Sequence, residues 1–212
     1  MNRYVLNGPG AFEMRQISSA VPTEPPGNAI LLNGGSSGWL PRDLIMTRMK
    51  KPGITIDIPG LGKRVVRTVI SDYTGTLSLH GKLTPGVKPR LLRLQKLVDV
   101  RIVTADTYGT AAQQLKGIAA PHFLQRNSAQ DKEKRDFAKR FDLRHVAAFG
   151  NGNNDRLLLR AVKKAGGIAI AVDNGEGCAL DALLAANIFI SGAASALDLL
   201  LDSKALIATL RF

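Results

Sequence analysis

From Ile54 onward, apolar and polar positions settle into short periodic stretches. Ile54–Ile58 alternates, Pro59–Gly62 carries turn residues and Val65–Ile70 is a β-branched run, so a hairpin feeding a buried strand is predicted. Leu77–Thr84 predicts a second hairpin with His80-Gly81 at its tip. Pro85-Gly86 opens a predicted helix that runs to about Leu97. Later strands are predicted near Val100–Thr104, Val146–Phe149, Gly167–Ala171 and Ile188–Ile190, with one more short strand between Thr104 and Lys134. Helices are predicted near Gly109–Lys116, Ser128–Phe141, Asn154–Lys164, Gly177–Ala186, Ala194–Leu201 and Ser203–Leu210. Strands alternating with helices predict an α/β fold, a parallel sheet covered on both faces. Such sheets bind ligands beyond the carboxyl ends of their strands, so polar residues just after strands carry the interest.

The first fifty residues break this pattern. They hold five of the ten prolines and six of the 21 glycines, with no sustained period of 2 or 3.6. Residues 1–48 therefore read as a flexible extension, with Met46 or Met49 as an alternative start, and 49–212 as the core domain.

Composition narrows the class. In 212 residues, 45% are apolar and 22% charged, which are globular proportions. No apolar run approaches the roughly 18–20 residues that span a bilayer, and no secretory signal pattern opens the chain, so a cytoplasmic protein with no membrane partner is expected. Cys178 is the single cysteine, which excludes an internal disulfide and a multi-thiolate zinc site. The net charge of +12 favours phosphorylated substrates or polyanions. Lysine- and arginine-rich stretches at Lys88–Lys96 and Lys132–Arg144 raise a nucleic-acid binder as a rival class. Aromatic residues are only 5% and no interleaved stacking motif occurs, so nucleic acid is not the expected partner.

Four strand ends or helix starts carry candidate chemistry: Asp72-Tyr73-Thr74-Gly75-Thr76-Leu77, Thr104-Ala105-Asp106, the helix start Asp131–Lys134, and Gly150-Asn151-Gly152-Asn153-Asn154-Asp155. A carboxylate, a hydroxyl, a lysine and a second carboxylate are what transfer through an aspartyl phosphate requires. The first carboxylate attacks phosphorus. A divalent ion neutralises the charge between it and the phosphate, using oxygen ligands. Hydroxyl, N–H and ammonium groups hold the non-bridging oxygens. Between the lysines, Phe137, Ala138 and Phe141 follow Lys134 by 3, 4 and 7 positions and share its helical face, while Lys132 lies about 200° away. An apolar face packed on the sheet therefore selects Lys134.

Asp72–Leu77 resembles the first motif of the haloacid dehalogenase-like (HAD) superfamily, in the version of the P-type ATPases. Thr104–Asp106 is similar to the second motif and Gly150–Asp155 to the fourth, and 54–212 resembles the small soluble P-type ATPase-like members. The resemblance implies a three-layer Rossmann-like fold with a flap hairpin after the first motif strand. It implies a Mg²⁺-dependent, phosphatase-like hydrolase. Asp72 would be nucleophile and metal ligand, and Thr74 would lie at the catalytic step and lend its carbonyl to the metal. Thr104, Ala105 and Lys134 would bind phosphate. Asp155 would support the metal directly or through water, with Asn151, Asn154 and Asp106 behind these groups.

Three departures qualify that picture. Thr74 stands where phosphatases of the superfamily carry an acid–base aspartate, so turnover is expected to slow by about 10²–10⁴-fold. Asn151 stands where an aspartate is usual. The spacings from Asp72 to Thr104 and from Thr104 to Lys134 leave no room for a cap domain, so a capless site is expected, open to a phosphorylated small molecule or a bulkier phosphorylated substrate, or closed by a second subunit of a homo-oligomer. The alternative is a catalytically weak phosphate- or partner-binding scaffold. Locally, Asp72, Asp106 and Asp155 also have a plain reading as turn or helix caps, and Thr104 as a β-branched strand end.

Overall fold

The computed structural model describes residues 51–119, 121–125 and 129–212, and the backbone of 2–6, 12–16, 29–31 and 39–41. The chain divides into two units, Met1–Lys50 and Lys51–Phe212. The first contains two antiparallel strand pairs, β1 (Asn2–Leu6) with β2 (Phe12–Gln16) and β3 (Ala29–Leu31) with β4 (Trp39–Pro41). Sequence patterning assigned no element here. The register sets Tyr4 opposite Met14 and Leu6 opposite Phe12, an alternation too short to stand out as a period.

In the second unit, β5 (Ile54–Ile58) and β6 (Gly62–Val66) form the first predicted hairpin, and β7 (Thr68–Ser71) follows as a separate strand. The run Val65–Ile70 is thus two strands rather than one. The break falls at Arg67, whose N–H donates to the His145 carbonyl and whose carbonyl accepts from the Asp99 N–H, so the chain changes partners there. The short hairpin β8 (Ser78–Leu79)–β9 (Lys82–Leu83) comes next, turning through His80 (φ 49°) and Gly81 (φ 74°).

Beyond it run helix α1 (Val87–Leu97), β10 (Asp99–Thr104), α2 (Ala111–Gln114), β11 (Pro121–Phe123), α3 (Gln130–Ala138), β12 (Val146–Gly150), α4 (Arg156–Lys164), β13 (Ile168–Asp173), α5 (Leu180–Ala185), β14 (Ile188–Ser191), α6 (Ala193–Leu201) and α7 (Ser203–Leu210). Residue 128, the predicted start of α3, lies outside the described residues. Helix α5 begins three residues later than its composition suggests, because Ala179 is extended and spends its N–H on the Asn151 carbonyl.

Six strands form one parallel sheet in the order β11-β10-β7-β12-β13-β14. Numbered within the sheet this is 3-2-1-4-5-6, the doubly wound Rossmann-like order, and its switch point lies between β7 and β12. Alternate residues feed two cores. Val69, Phe149 and Ile170 pack with Leu91, Leu94 and Leu197 on one face. Ile70, Ala148, Ala169 and Ala171 pack with Phe137, Leu158 and Ala182 on the other. The interval from Asp72 to Thr104 holds only the hairpin, α1 and β10, and no inserted domain occurs there. Among the described residues no helix is long and apolar enough to cross a membrane.

Candidate active site

The strand order alone brings residues 72 and 150–155 together. β7 and β12 are hydrogen-bonded neighbours, and the Asp72 N–H extends their ladder by donating to the Phe149 carbonyl at 3.0 Å. Asp72 and the loop after β12 therefore leave the sheet side by side at its switch point. Glycines permit the close approach that follows. A methyl group on Gly150 would come within 2.4 Å of the Asp155 carboxylate carbon. One on Gly75, whose φ is 74°, would come within 2.4 Å of Asn151 Nδ2.

Lys134 is the centre of the arrangement. Its side chain is fully buried on the face of α3 that also buries Phe137 and Ala138, while Lys132 is exposed. Lys134 Nζ donates to Asp72 Oδ1 and to Asp155 Oδ1, each at 2.7 Å. Asp155 Oδ2 accepts the N–H groups of Asn151 and Gly152, both at 3.0 Å, so both its oxygens are engaged and it does not cap α4. Burial pushes Asp72 up to about 6, an effect Lys134 opposes and Asp155 reinforces. Burial works against the charge on Lys134 too, yet Asp155 and Asp72 outweigh it and hold its pKa above the ordinary lysine value.

Thr104 is fully buried at the end of β10, and its Oγ1 accepts the Asp106 N–H at 2.9 Å. With that lone pair occupied, its proton is free to donate elsewhere. Asp106 has a left-handed backbone (φ 49°), and its Oδ1 accepts from the N–H groups of Thr110 and Ala111, which makes it the cap of α2. Ala105 is partly buried between these two. Asn154 Nδ2 donates to Gln130 Oε1 at 3.3 Å, joining the loop after β12 to the start of α3.

Sequence reasoning gave no role to Thr76. Its buried hydroxyl lies 3.1 Å from Asn151 Oδ1 and 3.5 Å from Asp72 Oδ2. The sequence signal was its place four residues after Asp72 in the same motif, but its partner lies 75 positions away. Two oxygens therefore face a hydroxyl that has one proton. Close by in the chain, Thr74 Oγ1 is buried without a hydrogen-bond partner, unlike every other buried side-chain polar atom described. Oxygen acceptors short of donors are the environment that a hard divalent cation takes, so the residues present fit Mg²⁺. No group of three or more His, Cys, Asp or Glu side chains suited to a metal occurs among the described residues. The donor set would thus combine the Asp72 carboxylate with amide and backbone oxygens.

The hairpin β8–β9 stands beside this site and is held at its tip. Tyr73 Oη and Thr110 Oγ1 both donate to the Gly81 carbonyl, at 2.8 and 2.6 Å. On the opposite side the His80 N–H donates to Glu176.

No protein-family model matches this sequence, and no curated protein matches it. Solved structures do match its fold. A hypothetical protein from Xanthomonas campestris has 16% identity and a TM-score of 0.51, covering 68% of this chain and 86% of that one. A protein described as a HAD superfamily (subfamily III A) hydrolase from Legionella pneumophila has 17% identity and a TM-score of 0.50, covering 68% and 87%. The 3-deoxy-D-manno-octulosonate 8-phosphate phosphatase of Moraxella catarrhalis, in complex with magnesium ion, phosphate ion and KDO, has 18% identity and a TM-score of 0.46, covering 69% and 94%. The chain therefore shares its Rossmann-like α/β fold with the Xanthomonas protein and the Legionella hydrolase.

Proposed function

We propose that this protein is a Mg²⁺-dependent phosphatase-like hydrolase of the HAD type that works through an aspartyl phosphate on Asp72. The observation that carries this reading is the fully buried Lys134, bonded at 2.7 Å to Asp72 and to Asp155 at the switch point of the sheet.

The ionised Asp72 carboxylate attacks the phosphorus of a phosphate monoester, the bond to the leaving oxygen breaks, and that oxygen takes a proton from solvent. Water then attacks phosphorus, releases inorganic phosphate and restores the carboxylate. Asp72, the Thr74 carbonyl and Asn151 would hold Mg²⁺, with Asp155 fixing the loop that presents Asn151. Bound there, the ion neutralises charge between carboxylate and phosphate. Lys134, the Thr104 hydroxyl and the backbone at Ala105 hold the phosphoryl oxygens, with Asp106 orienting Thr104. Thr74 has no carboxylate to activate water, so the second step is slow. The P-type ATPase-like character rests on the motifs, and a cytoplasmic location on the single cysteine.

The test is incubation with a panel of phosphate esters and Mg²⁺, with acid quenching. An acid-stable, hydroxylamine-labile phosphoenzyme that Asp72→Asn abolishes is the expected result. Neither phosphoenzyme nor released phosphate from any ester overturns the reading. The second reading, a phosphate- or partner-binding scaffold, is favoured by Thr74 and Asn151, where two carboxylates of the usual set are missing. It predicts phosphate binding without turnover, unchanged by Thr74→Asp.

A further inference from the structure

Asn151 meets the site through a carboxamide, and a carboxamide has two unlike ends. Its oxygen can ligate a hard cation, while its NH₂ group can only donate. An aspartate at this place would present two equivalent oxygens and need no guidance. Asparagine needs a partner that decides which end faces Asp72. Thr76 does not decide it. Its Oγ1 lies 3.1 Å from Asn151 Oδ1, but a hydroxyl both donates and accepts, so it fits either end.

The decision comes from the other side, from the loop after β13. Asn151 Nδ2 donates to the Gly177 carbonyl at 3.2 Å, and a carbonyl accepts only from the nitrogen end. The Asn151 backbone carbonyl accepts the Ala179 N–H at 2.8 Å, two residues further along. The loop thus holds Asn151 by side chain and main chain together. What shapes the loop is Asp173, the last residue of β13. Its Oδ1 accepts the N–H groups of Gly175 and Gly177, at 2.9 and 3.0 Å. Both glycines have positive φ, 95° and 87°, so the chain can curl around this one oxygen. The start of the loop is pinned independently. Asn174 accepts the Ala193 N–H at 3.0 Å and donates to Thr84 Oγ1 at 2.6 Å. What Asp173 adds is therefore the placement of Gly175–Gly177, and with it the carbonyl that Asn151 follows.

We propose that Asp173 is a positioning residue: through Gly177 it turns Asn151 so that the carboxamide oxygen, and not the nitrogen, faces the Mg²⁺ position beside Asp72. This rests on the Mg²⁺ reading above and deepens it. Asp173 acts by the hydrogen bonds it accepts rather than by its charge, and takes no part in the chemistry.

Calorimetric titration of MgCl₂ into the full chain, without substrate, reads the effect apart from turnover. Asp173→Ala is expected to weaken Mg²⁺ binding about tenfold, the lower end for a lost partner of a metal ligand. Asp173→Asn keeps an acceptor oxygen without the charge and is expected to bind as the unmodified chain does. In an Asn151→Asp background both ends of the side chain are oxygen, so Asp173→Ala should lose most of its effect. Glu176→Ala, in the same loop, removes the acceptor of the His80 N–H and should leave Mg²⁺ binding unchanged. Equal weakening by Asp173→Asn and Asp173→Ala would mean a charge effect, and equal weakening by Glu176→Ala a general loosening of the loop. Either result overturns the inference and leaves the Mg²⁺ reading standing. So does an Asp173→Ala affinity that does not change, or a loss undiminished in the Asn151→Asp background. Should Asp173→Ala fail to fold, Asp173→Asn decides alone: unmodified affinity supports the inference and a weakened one overturns it. No Mg²⁺ uptake by the unmodified chain overturns both readings.

Discussion

Lys134 Nζ and Asp155 Oδ1 lie 2.7 Å apart with neither side chain exposed, an ion pair closed off from water. A second carboxylate, Asp72, shares the same ammonium. Charges buried in this way are held only by one another, so removing the cation leaves two carboxylates facing each other without solvent. Lys134→Met should therefore cost about 3–5 kcal/mol of folding stability near neutral pH. Urea unfolding at pH 7.5 and at pH 4.5 measures it, and the loss should shrink at the lower pH as the carboxylates protonate.

On the proposed mechanism, Asp72 sets the acid limb of activity. Its pKa is raised to about 6, chiefly by burial, and only the carboxylate attacks phosphorus. The kcat/KM profile should fall about tenfold per pH unit below that value. Stability runs the other way. A carboxyl raised above its ordinary 3.8 favours the folded state when protonated, so this contribution is present below 3.8 and is lost as pH rises through about 6. Asp72→Asn, which removes the titration, should thus raise the urea midpoint above pH 6 in the presence of a chelator. Below pH 4 the gain should vanish.

Restoring the two missing carboxylates separates two effects. Thr74→Asp supplies an acid–base group, and the phosphoenzyme should decay about 10²-fold faster in single-turnover quench experiments. Asn151→Asp places a second anion beside Asp72, and Mg²⁺ titration of phosphoenzyme formation should show tighter metal binding.

Gly75 lies so close to Asn151 that Gly75→Ala must displace that side chain or distort a turn with positive φ. A stability loss of about 1–3 kcal/mol is expected, together with a weaker Mg²⁺ response. Thermal unfolding and the same Mg²⁺ titration check both.

Much of the frame was legible from pattern. The β-branched runs marked the strands, and Phe137 and Ala138 fixed the face of α3 that carries Lys134 inward. The split at Arg67 was not legible, because a β-branched run does not record where hydrogen-bond partners change. Thr76 was missed for a related reason: its meaning comes from Asn151, which only the sheet order brings near. Asp106 reads in the structure as the cap of α2 and as the N–H that turns Thr104, so its two sequence readings do not exclude each other.

The carbonyl of Gly81 accepts two hydroxyl hydrogen bonds, one from Tyr73 directly after Asp72 and one from Thr110 beyond β10. The hairpin β8–β9 is thereby bolted to the frame rather than hinged on it. A molecule arriving from solution meets a workbench already laid out. On the proposed mechanism, speed should then be governed by how fast water frees Asp72 from its phosphate, and not by the opening of a door.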